Sequence, residues 1–488
     1  GILGPWAFAG DRYATLDGSN NVVGFTGGTA VAAFGWTSSN PATFNYDVAG
    51  VQGALGVSRT ANTARYTGGA GTQTWGNSGA NVTITLNGLT NAGSGTLTFA
   101  KGGTGSGTGV AIGATQELVL NAASAGIAIS APIFNNGAGA SALTVLGSAG
   151  VTLSGANAYT GGTTIGSGTL TVAGGNLGTG GIHVSSGASL VHTSSQTISQ
   201  AVTGSGTISA NSGTATLTGD FSGFEGVYIH NSSVSSTVVN STAALSGSAA
   251  YHIAAPQGSL QGLLTNVTSG DNTFHMGALS GVANSLVRNG GSVTGNTTLV
   301  IGNLGTDTEF AGIIGGGGGS IAIEKVGSGE LTLSGASTYT GDTLVSAGTL
   351  FVSGSLGATD VTVDADATIG GGGSIGGSLT FNSGSKLIFS TIDSLTVNGS
   401  SVSFGGFDIL DLVGLSNSVA TGTYTLIDGA ATVDLTNVSN VGVGNAHDLG
   451  GGKFAYFEAG SLNLVVIPEP SAALLGGLGI LALLRRRR

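Results

Sequence analysis

The densest group of side chains able to do chemistry is TDVTVDADATI, which carries Asp360, Asp364 and Asp366. In a strand, residues two apart share a face, so Asp364 and Asp366 would lie together there, as a calcium site or an acid/base pair requires. A solvated outer face gives the same pattern, and it is the reading preferred, because no Lys or Arg lies nearby to bind an acidic sugar or a developing charge. The six histidines, His183, His192, His230, His252, His275 and His447, show no metal-ligand spacing. With no cysteine, a thiolate metal site, a cysteine nucleophile and a disulfide scaffold are excluded. GSGTG at 105–109 lacks the strand, helix and distal acid of a nucleotide site and reads as corner sequence. GGGGGS at 315–320 lacks the Asp of a calcium-roll repeat. No G-x-S-x-G elbow follows a strand and opens a helix. No catalytic residue, cofactor or metal is therefore expected.

Composition narrows the classes further. Only 7% of the 488 residues are charged, 40% are hydrophobic, and 93 are glycine. The hydrophobic content separates the chain from disordered segments, which are both polar and charge-rich. The glycines follow no three-residue period, which excludes collagen. The net charge is −11, and the only basic cluster is the last four residues, so a nucleic-acid partner is not expected.

Such residues have to be held by short strands. From about residue 81, segments such as NVTITLNG, SGTLTFA, QELVLNA and SGTLTVAG alternate apolar with small polar residues and end in Gly, Asn or Ser. Two stretches nearly repeat: VTLSGANAYTGGTTIGSGTLTVAG at 151–174 and LTLSGASTYTGDTLVSAGTLFVSG at 331–354. Self-similarity at the level of single strands marks an array. The fold expected is all-β: a right-handed parallel β-helix over 81–380 with rungs about 4.8 Å apart. Aliphatic stacks fill it, Thr and Ser form outer ladders, and glycine supplies the corners, where positive φ is needed. Rungs of about 20 to 25 residues would number about a dozen. Leu153, Leu170, Leu333 and Leu350 should face inward. The aromatic-rich segment 1–80, with Trp6, Trp36 and Trp75, is expected as an N-terminal β cap, and 381–466 as a C-terminal β region.

The repeated stretches resemble the autotransporter-associated β-strand repeat. Its LTLSG strand, YTG corner and T-x-[VI]-x-x-G-T-L strand fall at Leu153 to Leu170 and again at Leu333 to Leu350, with Tyr159, Thr160, Gly161 and Tyr339, Thr340, Gly341 as the corners. TATLTGDFSGFEG from Thr214 to Gly226 resembles a diverged third copy. The resemblance implies a β-helical surface or secreted stalk, and it implies no catalysis. The corner tyrosines could stack on sugars, but at a repeated corner packing within the fold is the better expectation.

The segment from 467 resembles a PEP-CTERM sorting signal: Pro468, Glu469 and Pro470, an apolar stretch to Leu484, then Arg485, Arg486, Arg487 and Arg488. That resemblance implies an exosortase-type membrane enzyme as partner and a Gram-negative bacterial host that makes exopolysaccharide. It implies cleavage near the triplet and release to the cell surface or matrix. As a short C-terminal apolar helix, Ser471 to Leu484 would reach about 21 Å against a hydrocarbon core of about 30 Å, a marginal and transient inner-membrane anchor. The start, GILGPWAFAG, shows no signal peptide, so an exported chain would here be processed or a fragment. The function expected is that of an exported, non-enzymatic surface or matrix protein associated with exopolysaccharide. A polysaccharide lyase or hydrolase and a carbohydrate-binding adhesin are the alternatives.

Overall fold

The computed structural model describes residues 4–36, 43–75, 81–102, 105, 107–254, 262–429 and 432–469. The chain divides into two units, Gly1–Val267 and Thr268–Arg488. Each is a parallel β-solenoid, with about 15 turns between them and almost no helix. The helical elements among the described residues are three single 3-10 turns, Thr242–Ala244, Ile409–Asp411 and Val443–Asn445.

In the first unit a ten-stranded parallel sheet runs from Thr29–Val31 to Gly223–Phe224. A second parallel sheet runs from Gly71–Trp75 to Ala250–Ile253, and shorter ladders such as Arg59–Thr60 to Ile133–Phe134 form a third wall. The second unit contains an eight-stranded parallel sheet from Asn272–Met276 to Thr432–Asp434. It ends in a four-stranded antiparallel sheet built from Gly422–Thr425, Asn463–Pro468, Lys453–Phe457 and His447–Gly450.

Alternation dictates what fills the interior. Val151 pairs with Leu170 and Leu153 with Val172; in the second copy Leu331 pairs with Leu350 and Leu333 with Val352. All eight are buried, while Thr152, Thr171, Thr332 and Phe351, which alternate with them, are partly exposed. Each such buried aliphatic side chain stabilises the fold by about 1.5–3 kcal/mol.

Parallel rungs also occupy the segment expected as an N-terminal cap. Thr29–Val31 pairs with Asn45–Val48, which pairs with Thr63–Tyr66. Of the aromatic residues there, Phe34, Trp36, Tyr46 and Tyr66 are buried between these rungs, whereas Trp6 is exposed. Trp36 stacks on Tyr46 at 4.6 Å between ring centroids, and Phe34 packs edge-on against Phe99 at 5.2 Å. The antiparallel element of this unit is a three-stranded sheet, Phe8–Ala9, Arg12–Leu16 and Val22–Gly24. At the other end parallel pairing continues past 380 to Thr432–Asp434.

The glycines have two causes rather than the one expected. Gly168 and Gly348 have φ of 70° and 65°, as a left-handed corner requires. Gly161 and Gly341 do not. A Cβ on Gly161 would lie 2.6 Å from the Ser141 carbonyl carbon, and one on Gly341 would lie 2.5 Å from the Ile321 oxygen. These corners need glycine because the backbone of the preceding rung fills the space. Gly341→Ala should therefore cost about 1–3 kcal/mol through forced displacement of that rung. Gly18→Ala, where a Cβ meets nothing within 4 Å, should stay within about 0.5 kcal/mol. Urea unfolding of both variants checks this; equal midpoints would refute the close-approach account.

Candidate functional site

The two YTG corners are built alike. Tyr159 and Tyr339 are buried, at 0% and 2% exposure. The Tyr159 hydroxyl shares a hydrogen bond with Thr163 Oγ1 at 2.7 Å, and that of Tyr339 with Thr343 Oγ1 at 2.8 Å. Burial pushes both phenols above their ordinary range. Neither ring is available to stack on a sugar. Thr160 and Thr340 are exposed. Thr160 exchanges hydrogen bonds with Asn135, both at 2.9 Å. Thr340, with Thr338 and the glycines 315–317 and 319, lines a cavity of about 200 Å³ that contains no charged group.

A position between strand and corner also recurs. Asn157 Oδ1 accepts from the Ile133 amide at 3.0 Å, and Ser337 Oγ accepts from the Ile314 amide at 3.1 Å. In both copies a buried side-chain oxygen satisfies an amide of the preceding rung, where the third wall has no strand of its own and is bridged only at Ala156 to Asn176 and at Ala336 to Ser355.

The aspartates do not form a site. The strand Val361–Val363 ends before Asp364, and Asp366 lies in the following turn at φ 64°. The two-residue alternation thus breaks between them, contrary to the shared face expected from the sequence. Asp364 Oδ1 accepts from Asn382 Nδ2 at 2.8 Å, Asp360 Oδ1 accepts from the Ser378 amide at 2.8 Å, and Asp366 faces Lys386 at 3.7 Å. Each links one rung to the next. Among the described residues no group of three or more His, Asp or Glu could hold a metal ion.

The burial of three ionisable groups, Lys325, His192 and His230, escaped the sequence reading. Lys325 closes the strand Ser320–Lys325 in phase with Ile321 and Ile323, so it points inward, and it is 1% exposed. Its ammonium donates to the carbonyl oxygens of Val326, Gly327 and Ala347 at 2.9, 3.0 and 3.1 Å. Burial pulls it down to about 8, with Asp307 opposing. The inward phase of SIAIEK was the available signal. His192 ends the strand Ser189–His192 at an inward position, paired with Val172 and Ala210, and is 2% exposed. Neither ring nitrogen has a partner among the described residues. His230 is also buried, with Nδ1 at 3.0 Å from Thr237 Oγ1, whereas His183 is exposed and contacts Thr203.

Of the sorting-signal residues, Pro468 ends the last strand and Glu469 is exposed, its amide donating to Gly452 O at 2.6 Å. Pro470 and Arg485 to Arg488, with the apolar helix expected between them, lie outside the described residues. Among those described, no helix is long and apolar enough to cross a membrane.

Comparison with known proteins fits this geometry. The passenger-associated-transport-repeat model matches residues 143–172 and 323–352. Each match starts one strand before the LTLSG segment. In the first, Leu143 pairs with Thr163 and Val151 with Leu170. In the second, Ile323 pairs with Thr343 and Leu331 with Leu350. One match is thus two stacked rungs with the buried tyrosine corner between them. No curated protein and no solved structure matches the chain.

His192 supplies a pH test. Burial lowers it from 6.5 to about 4. Its contribution to stability is fully present above pH 6.5 and is lost as the pH falls toward 4, a total of about 3 kcal/mol. The urea midpoint of the native chain should fall more steeply across that window than that of His192→Leu. Parallel pH profiles for the two would show that protonation of His192 is not resisted by the fold.

Proposed function

We propose that this chain is an exported, non-enzymatic β-solenoid that acts as a structural element at a bacterial cell surface or in the extracellular matrix. The observation that carries the reading is the repeat itself: two separate segments match a passenger-associated-transport repeat, and both build the same two-rung unit with a buried tyrosine corner. A solenoid of this kind makes contacts only between neighbouring rungs, so it extends distance without needing a distant partner to fold. Outward positions such as Thr152, Thr171 and Thr332 carry small polar side chains, and Asp360, Asp364 and Asp366 bond across rungs instead of converging.

Sorting through a PEP-CTERM signal is the finer part of the proposal. It rests on the order of Pro468-Glu469-Pro470, the apolar stretch and the four arginines. Membrane anchoring would be transient, an exosortase-type enzyme would be the processing partner, and exopolysaccharide the surrounding material. Intact mass measurement of the protein taken from the surface of its native host tests this. The expected C-terminus lies near the triplet; surface protein still ending at Arg488 would show a lasting anchor.

The rival reading, a polysaccharide lyase or hydrolase, is tested separately. Purified protein incubated with acidic and neutral polysaccharides should release no oligosaccharide. Release that Asp364→Ala or Asp366→Ala abolishes would make the chain an enzyme.

A further inference from the structure

We propose that a groove on the first unit, between its N-terminal hairpin and the adjoining rungs, binds a neutral glycan of one or two sugar residues. The groove has a volume of about 390 Å³, and its lining includes Phe8, Asp11, Asn121, Ser124, Ser148 and Ser167. That volume falls within the range of about 300–1,000 Å³ usual for ligand sites.

Asn121 is the informative member. It ends the strand Glu117–Asn121, is only 5% exposed, and its carboxamide has no hydrogen-bond partner among the described residues. The carboxamide is therefore free to bond a ligand in the groove it lines. The amide offers two N–H donors and an acceptor oxygen, which suits a pair of neighbouring hydroxyls. Ser124 and Ser148 stand exposed at the rim. Ser167 Oγ accepts from the Gly147 amide at 3.0 Å, so its own O–H remains to donate.

Phe8 supplies the apolar surface. Its ring packs against Tyr13 with centroids 5.0 Å apart, and its partly exposed side lines the groove. A C–H face of a pyranose packs on such a ring while its hydroxyls meet the amide and serines.

Charge selects against an acidic sugar or a phosphate. Asp11 receives Arg65 at 2.5 Å, Arg65 also faces Asp47 at 3.6 Å, and Arg12 faces Asp47 at 4.0 Å. Two cations and two anions balance, so no cation is left to hold an anionic ligand. The same ion pairs fix Asp11 as a hydroxyl acceptor and latch the hairpin that forms one wall.

Titration of the full chain with maltose, cellobiose and lactose, followed by saturation-transfer NMR and calorimetry, tests the assignment. At least one should bind saturably, with a Kd of about 1 mM or tighter. Ser148→Trp fills the groove from an exposed rim position and should weaken that binding by about tenfold or more; Asn121→Leu should do the same while the far-ultraviolet dichroism stays unchanged. No saturable binding of any of the three sugars would overturn the proposal. So would binding that Ser148→Trp leaves intact.

Discussion

Everything in this protein follows from the stacking of parallel rungs at a separation of about 4.8 Å. At that distance a side chain meets the residue one rung above and one rung below before it meets anything else. Aliphatic residues in register extend one another's burial, as Leu170 does between Val151 and Leu190. Where a rung turns, its backbone lies directly against the backbone of the previous turn. Gly161 and Gly341 exist because no Cβ fits in that gap. The same spacing turns hydrogen-bonding side chains into cross-rung links, as with Asn157, Ser337, Asp360 and Asp364.

This constraint explains why so few charged residues suffice. A globular domain of this length keeps its elements apart with a polar surface wrapped around one core. Here the backbone ladders take up most polar groups, and the outer faces need only side chains that tolerate both water and a pleated strand. Thr does both. The charged groups that are inside show how strict the interior is. Lys325 is accepted because three carbonyl oxygens meet its ammonium, and His192 only in its neutral form.

How far the sequence revealed this depends on which periodicity survived. Alternation identified the strands, and the inward set of Leu153, Leu170, Leu333 and Leu350 followed from it. The corner tyrosines were legible as a repeated pair, and their burial explains the repetition. The aspartates were misplaced because alternation was carried through a turn: Asp366 adopts a left-handed conformation that ends the strand's phase. The aromatic residues of the first 80 positions suggested a different layer, since a sequence shows size but not whether a ring lies flat within a rung, as Trp36 does on Tyr46. The groove beside Asn121 was invisible, because Asp11 and Asn121 come together only when the hairpin folds across rungs distant in sequence.

The two-rung unit has a consequence for how such a chain can change length. Each unit carries both sides of one complete rung-to-rung interface, and glycine corners lie just outside its bounds, at Gly139 and Gly174 in the first copy and at Gly319 and Gly354 in the second. A gene duplication cut at those corners would insert a segment whose upper and lower surfaces are already complementary to what flanks it. Inserting a single residue inside a strand would instead turn every following side chain in that strand to the opposite face. The chain can therefore lengthen by whole units at little structural disturbance, and the likeness of 151–174 and 331–354 fits such growth.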